Sequence, residues 1–196
     1  MPRAILRSDK VQAPTSFSRD GKLLAYTEND ETTGFDIWVV NLDGSPAPKP
    51  FVRTMFQERR ATFSPDGQWL AYESNESGEP QIYVARYPDA RDKRQVSIEG
   101  GTEPIWGANG ELFYRNTNRF MAVAVKTSPA LVIGRPSMMF EGAFNPAGLT
   151  GARSFSPMPD GQHFVVARAG STLAPPREIR IVLNWYDELQ RLVPTK

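Results

Sequence analysis

Hydrophobic and polar positions alternate along most of this chain in short runs, and the runs come in pairs. Four segments align with one another: Ser16–Tyr26, Thr62–Tyr72, Ile105–Tyr114 and Ser154–Val166, the last carrying two extra residues. Each holds a turn pair, Asp20-Gly21, Asp66-Gly67, Asn109-Gly110 or Asp160-Gly161, followed by an apolar stretch. A polar loop comes next and then a second alternating run. These runs are Asp36-Ile-Trp-Val-Val-Asn-Leu42, Gln81-Ile-Tyr-Val-Ala-Arg-Tyr87, Arg119-Phe-Met-Ala-Val-Ala-Val125 and Glu178-Ile-Arg-Ile-Val-Leu183. Period-2 patterning rich in Val, Ile, Tyr, Phe and Trp predicts strands. A weaker strand is predicted after three of them, at Lys49–Arg53, Arg94–Ile98 and Pro136–Phe140.

The turn pairs have a physical reading. In Ser64-Pro65-Asp66-Gly67, proline presets φ at the second position, aspartate tolerates the third, and glycine supplies positive φ at the fourth. The flanking strand formers make each a hairpin. A period of roughly 40–50 residues with four short strands per unit is the mark of an all-β propeller. An all-β sandwich with repetitive hairpins is the competing reading. The repeats run approximately over 8–53, 54–98, 99–141 and 149–183, within one domain spanning 1–196. The tail predicts a short amphipathic helix over 184–193: Asn184 caps it, Trp185, Leu189 and Leu192 share a face, and Pro194 ends it.

These motifs resemble the TolB-like, WD-repeat-like propeller repeats of bacteria. The resemblance rests on Phe63-Ser-Pro-Asp-Gly-Gln-Trp-Leu-Ala-Tyr72 with Gln81-Ile-Tyr-Val84, and on Ser18–Tyr26 with Asp36-Ile-Trp-Val39. The third repeat lacks Ser-Pro and the fourth carries the insertion. The resemblance implies blades of four strands, A innermost to D outermost, with the Asp-Gly turn joining A to B. Residues 3–7 then read as a strand D that closes onto the last A–B–C set, giving a four-blade ring. The other expectation is that the chain is part of a larger propeller, or a half that self-associates to complete one. Repeats of this kind often follow a bacterial serine/threonine kinase or winged-helix domain, which implies a scaffold at the C-terminal end of a larger sensor or signalling protein.

Composition narrows the chemistry. The chain has 196 residues, 40% hydrophobic and 23% charged, with a formal charge of +1. No bulk field draws it to nucleic acid or anionic lipid. It has no cysteine, which excludes disulfides, thiolate metal sites and cysteine nucleophiles, and a single histidine. No apolar run suits a signal peptide or a transmembrane helix. The chain as given reads as cytoplasmic, with a periplasmic setting open to a membrane-anchored parent. No cofactor or metal is implied.

His163 aligns with Leu23, Trp69 and Leu112, which makes it a packing position, and no Gly-x-Ser-x-Gly elbow exists. The acidic loops near Asn29–Glu31 and Asn75–Glu79 lack calcium-loop spacing. Arg59, Arg60, Arg115 and Arg119 read as scattered surface charge. What is left is a face. The B–C loops (28–35, 74–80, 115–118 and 168–177) and the D–A loops share one end of a propeller. There Arg60, Glu103 and Arg153, at the starts of A strands, and Glu79 in a B–C loop are the candidate contacts for a protein or peptide. The turn residues Asp20, Gly21, Asp66, Gly67, Asn109, Gly110, Asp160 and Gly161 are read as structural. The alternative reading is a propeller-type hydrolase or lyase with a polar channel site.

Overall fold

Strands built from the Asp-Gly hairpins stack side by side as separate antiparallel sheets. The computed structural model describes residues 4–43, 47–145, 148, 153–158, 160 and 163–166. The first sheet runs β1 (Gln12–Phe17), β2 (Leu23–Asp30), β3 (Gly34–Asn41) and β4 (Lys49–Val52) in sequence order. The second repeats it with β5 (Glu58–Phe63), β6 (Trp69–Ser74), β7 (Gln81–Arg86) and β8 (Arg91–Gln95). The third has β9 (Thr102–Trp106), β10 (Glu111–Asn116), β11 (Arg119–Lys126) and an outer β13 (Ser137–Glu141), with β12 (Val132–Ile133) on the far end of β11. A fourth begins with the hairpin β14 (Phe155–Pro157) and β15 (Phe164–Val166). All described elements are strands, and no described helix is long and apolar enough to cross a membrane.

The A–B turns show why the motif recurs. Ser64 Oγ donates to Asp66 Oδ1, Trp69 N donates back to Ser64 Oγ at 3.0 Å, and Gly67 N closes on Ser64 O at 2.9 Å. Gly67 sits at φ 70°, where an L side chain is strained. Ser18, Asp20 and Gly21 repeat this geometry. In the third blade Asn109 Oδ1 accepts from Glu111 N, and Gly110 has φ 84°. In the fourth, Asp160 Oδ1 accepts from His163 N, while Gly161 lies outside the described residues.

Between the sheets lie the cores. Ile37, Phe51, Phe63, Leu70 and Tyr72 fill the space between blades one and two. Trp69, Ile82, Trp106, Leu112 and Tyr114 fill the next. Phe113, Phe120, Phe140, Phe144, Phe155 and Phe164 fill the third. Each large side chain buried this way contributes about 1.5–3 kcal/mol of transfer free energy.

Four expectations need correction or lie beyond view. Residues 4–7 form no strand, and the last blade's third strand, onto which they were expected to close, lies outside the described residues. The outer strand of blade two is Arg91–Gln95 rather than Arg94–Ile98. The ladder is cut short because Ser97 turns its Oγ inward, where it accepts from Ile82 N at 2.8 Å. His163 is not a packing residue: its side chain is 74% exposed against Asp160, and Phe164 packs instead, 5.0 Å from Phe113. The 178–183 strand and the 184–193 helix lie outside the described residues.

Candidate functional site

Each complete blade carries an irregularity in its innermost strand. The A–B register shifts between Pro14 and Ser16, between Arg59 and Thr62, and opposite Phe113 and Arg115. An extra residue in one strand of a pair bends that strand and re-aims its side chains. In blades two and three the bulge places Arg60 at φ 54° and Glu103 at φ 58°. Left-handed backbone at a non-glycine residue costs about 1–3 kcal/mol and persists only where surrounding contacts hold it.

Those contacts form one network across three blades. Arg60 Nη1 donates to Glu73 Oε1 on β6, and its Nη2 donates to Gly148 O at 2.7 Å. The other Glu73 oxygen accepts from Glu103 N at 3.1 Å, in the next blade. Glu103 Oε2 in turn accepts from both N and Oγ of Ser154, in the blade after that. Arg115 on β10 donates to Ser154 Oγ at 2.8 Å and to Phe144 O at 2.8 Å, and stands 3.8 Å from Glu103. Each acid therefore grips a backbone amide of the following blade. Charged acceptors of this kind make the stronger hydrogen bonds.

Arg153 occupies the axis. Its Nε donates to Pro104 O and its Nη1 to Thr15 O, both at 2.9 Å. Its Nη2 donates to Arg60 O at 2.9 Å and Ala61 O at 3.2 Å. One guanidinium thus ties the A-strand segments of the other three blades, leaving the axis filled at this level. Burial pushes its pKa down to about 10, with the neighbouring Arg60 charge acting the same way, so it stays protonated at neutral pH.

Above the network lies a cavity of about 380 Å³ lined by Arg60, Thr102, Glu103, Arg115, Thr117 and Phe144. Among the described residues, three of the five non-glycine positions with positive φ, Arg60, Glu103 and Thr117, line it. At the same end of the sheets, the β4–β5 connection carries exposed apolar side chains: Met55 is 88% exposed and Phe56 42%. Beneath that connection, two fully buried acids hold Thr54. Its hydroxyl donates to Glu58 Oε1 at 2.5 Å, while Asp36 Oδ2 accepts from Thr33 and lies 3.6 Å from Arg53. Glu58 Oε2 and Asp36 Oδ1 have no hydrogen-bond partner.

Of the four candidate contact residues, the structure brings Arg60, Glu103 and Arg153 together at the axis and leaves Glu79 in the β6–β7 loop, where its Oε1 accepts from Gln81 Nε2 at 2.9 Å. Arg60 and Glu103 are buried. The sequence reading missed Glu73 and Ser154 and took Arg115 for surface charge, whereas Arg115 is buried. A signal was present. The residue after the strand-B tyrosine is Thr27, Glu73 or Arg115, a polar position inside an otherwise apolar strand. Three guanidiniums face two carboxylates here, all engaged with protein groups. That arrangement suits holding backbone in place more than proton transfer. Among the described residues, no group of three or more His, Asp or Glu is placed to hold a metal ion.

Solved structures share this arrangement of sheets. TolB from Acinetobacter baumannii superimposes with a TM-score of 0.61 at 20% identity, over 85% of this chain and 40% of that one. A putative TolB from Agrobacterium tumefaciens gives 0.55 at 18% identity, over 66% and 49%. The fold is a TolB-like β-propeller. An oligogalacturonate lyase solved in complex with manganese also matches, with a TM-score of 0.60 at 10% identity, over 85% of this chain and 49% of that one. At these identities the likeness defines the propeller fold and leaves the activity open. The chain spans about half or less of the length of these structures. No family model matches the sequence, and no curated protein matches it.

Proposed function

We propose that this propeller is a non-catalytic scaffold that binds a protein or peptide on the face carrying its B–C and D–A loops, within a larger bacterial sensor or signalling protein. The observation that carries the reading is the filled axis. Arg153 spends its donors on the carbonyls of three blades, and Arg60, Glu73, Glu103 and Arg115 are spent on one another and on backbone. A catalytic site needs convergent polar groups left free for substrate, whereas these are engaged with one another and with backbone. Met55 and Phe56 then offer the apolar anchors that interfaces favour, with Glu79 in a loop at the same end of the sheets. In this reading Arg60, Glu103 and Arg153 act on a partner by fixing the loops that touch it.

The test is selection of binding peptides from a displayed library against the whole chain, followed by affinity measurement with M55D/F56D and E79K variants. Both sites are exposed, so the variants keep the fold. The reading expects selected peptides to lose about tenfold or more in affinity for M55D/F56D, which is about 1.4 kcal/mol or more. Peptides that bind the variants and the parent chain equally overturn the assignment of the face. Light scattering on the same material reads self-association: a defined dimer makes the second copy the partner.

A further inference from the structure

A second cavity, on the opposite face from the mouth, has a chemistry of its own. It lies between blades two and three, where the A–B turn of one meets the C–D connections of both, and measures about 430 Å³. Trp69, Arg86, Asp92, Arg94, Ser128 and Leu131 are among its lining residues. The other cations of the outer edge are paired: Arg91 with Asp89 at 2.6 Å and Lys93 with Glu76 at 2.7 Å. They satisfy the ordinary role of charge on an edge strand, which is to discourage pairing with another chain. Arg86 and Arg94 differ. Among the described residues neither has a carboxylate partner. Both are nevertheless held at the groove: the Arg86 guanidinium lies 5.8 Å from the Trp69 ring centroid, and Arg94 Nη1 donates to Lys93 O at 3.2 Å.

We propose that this groove binds a small phosphate monoester. Two guanidinium forks present more donors than the two oxygens of one carboxylate can satisfy, whereas a phosphoryl group offers three acceptor oxygens to share between them. Two arginines against Asp92 leave the groove with a net positive charge, which favours an anion carrying close to two charges at neutral pH. The Ser128 hydroxyl adds a donor on the facing wall. Pro129, Ala130 and Leu131 form an apolar lip on the same side, which suits the carbon skeleton of an ester better than bare inorganic phosphate. The site stands apart from the loop face of the proposed scaffold and does not depend on that reading.

Calorimetric titration of the full chain with glycerol 3-phosphate, inorganic phosphate and acetate at neutral pH and low salt tests the proposal. Saturable binding of glycerol 3-phosphate, tighter than inorganic phosphate and absent for acetate, is expected. The R86Q/R94Q variant, altered only at exposed positions, should lose at least about tenfold in affinity while keeping its thermal midpoint. A parallel arm uses phosphatidylcholine vesicles with and without phosphatidic acid. Binding to the phosphatidic acid vesicles with no response to the soluble ester overturns the proposal in favour of a lipid surface. No saturable response at millimolar ester, equal binding of acetate, or unchanged affinity in R86Q/R94Q also overturns it.

Discussion

Replacing Glu58 with glutamine, E58Q, removes a charge that the fold buries beneath the β4–β5 connection. The Glu58 carboxyl is fully buried, and its pKa is pushed up to about 7 from 4.5. Burial is the main cause and the charge of Asp36 adds to it, while hydrogen bonds from Thr54 pull the other way. A rise of that size corresponds to about 3 kcal/mol at 1.36 kcal/mol per pH unit. The sign follows from proton counting. Below pH ~4.5 both folded and unfolded chains hold the proton, so nothing is lost. Between ~4.5 and ~7 the folded chain keeps a proton that the unfolded chain has released, so stability falls as pH rises. Above ~7 the full penalty is present. The glutamine variant carries no such charge at any pH. It keeps an oxygen for Thr54 and places an amide where Glu58 Oε2 now has no partner.

The expected result is therefore a pH-dependent difference. At pH ~5 the variant matches the parent chain within about 1 kcal/mol, and at pH ~8.5 it is more stable by about 2–3 kcal/mol. For a chain of this length, roughly 2–4 °C per kcal/mol, the thermal midpoint should rise by about 4–12 °C at the higher pH. Scanning calorimetry or circular dichroism melts at both pH values read it directly. A difference that does not change with pH refutes the reasoning, because a purely steric or hydrogen-bonding effect of the substitution has no reason to titrate. Parent-chain stability that rises steadily from pH ~5 to ~8.5 refutes it as well, unless E58Q rises more steeply still.

Two further outcomes follow from the same structure. R153M leaves four carbonyl oxygens on three blades without their charged donor; water recovers part of the loss, so a destabilisation of about 3–5 kcal/mol is expected by denaturant titration, with R153K intermediate. F120A empties the centre of the aromatic cluster, where Phe120 stacks on Phe140 at 4.5 Å and meets Phe155 edge-on at 5.1 Å; a loss of about 3–5 kcal/mol is expected, and a loss below about 1 kcal/mol contradicts the packing described.

The legible part of this protein was the local part. An Asp-Gly pair before a strand dictates its own turn, because positive φ and a side chain that hydrogen-bonds two residues on are properties of adjacent residues. Ser64, Asp66 and Gly67 need nothing distant to do this, so the hairpins and their order were readable. The axis was not readable, because its partners are far apart in sequence: Arg153 meets Thr15, and Arg60 meets Gly148. Arg60, Glu103 and Arg153 were found from topology alone, as residues starting inner strands. That put them near the channel mouth as contacts for a partner but could not say that they would be consumed by one another and by backbone. Arg115 looked like surface because isolated charge in a sequence usually is. Its burial depends on Ser154 and Phe144, which only the stacked blades bring near. The outer strand of blade two slipped by three residues for a similar reason: the inward turn of Ser97 is a side-chain substitution for a ladder bond and leaves no mark in the hydrophobic pattern.

The Arg60–Glu73 pair allows a sharper question about what the network does. In an isolated ion pair, exchanging the charges restores the attraction, and the double reversal R60E/E73R recovers most of what each single reversal costs. Here each partner has a second obligation. Glu73 also accepts from the Glu103 amide of the next blade, and Arg60 also donates to the Gly148 carbonyl. After reversal, a guanidinium at position 73 faces an N–H donor, and a carboxylate at position 60 faces a carbonyl oxygen. Both contacts become repulsive in a buried site, where a mismatched charge costs about 3–5 kcal/mol. Each single reversal should cost that much, and the double reversal should remain at least ~2 kcal/mol below the parent chain. A double-mutant cycle in denaturant measures it. Recovery to within about 1 kcal/mol means that Arg60 and Glu73 serve only each other. Failure to recover means that the direction of charge is set by the backbone of the neighbouring blades. The similar apolar faces of these repeats do not by themselves distinguish one neighbour from another, so in that outcome it is this polarity that fixes how blade two meets blade three.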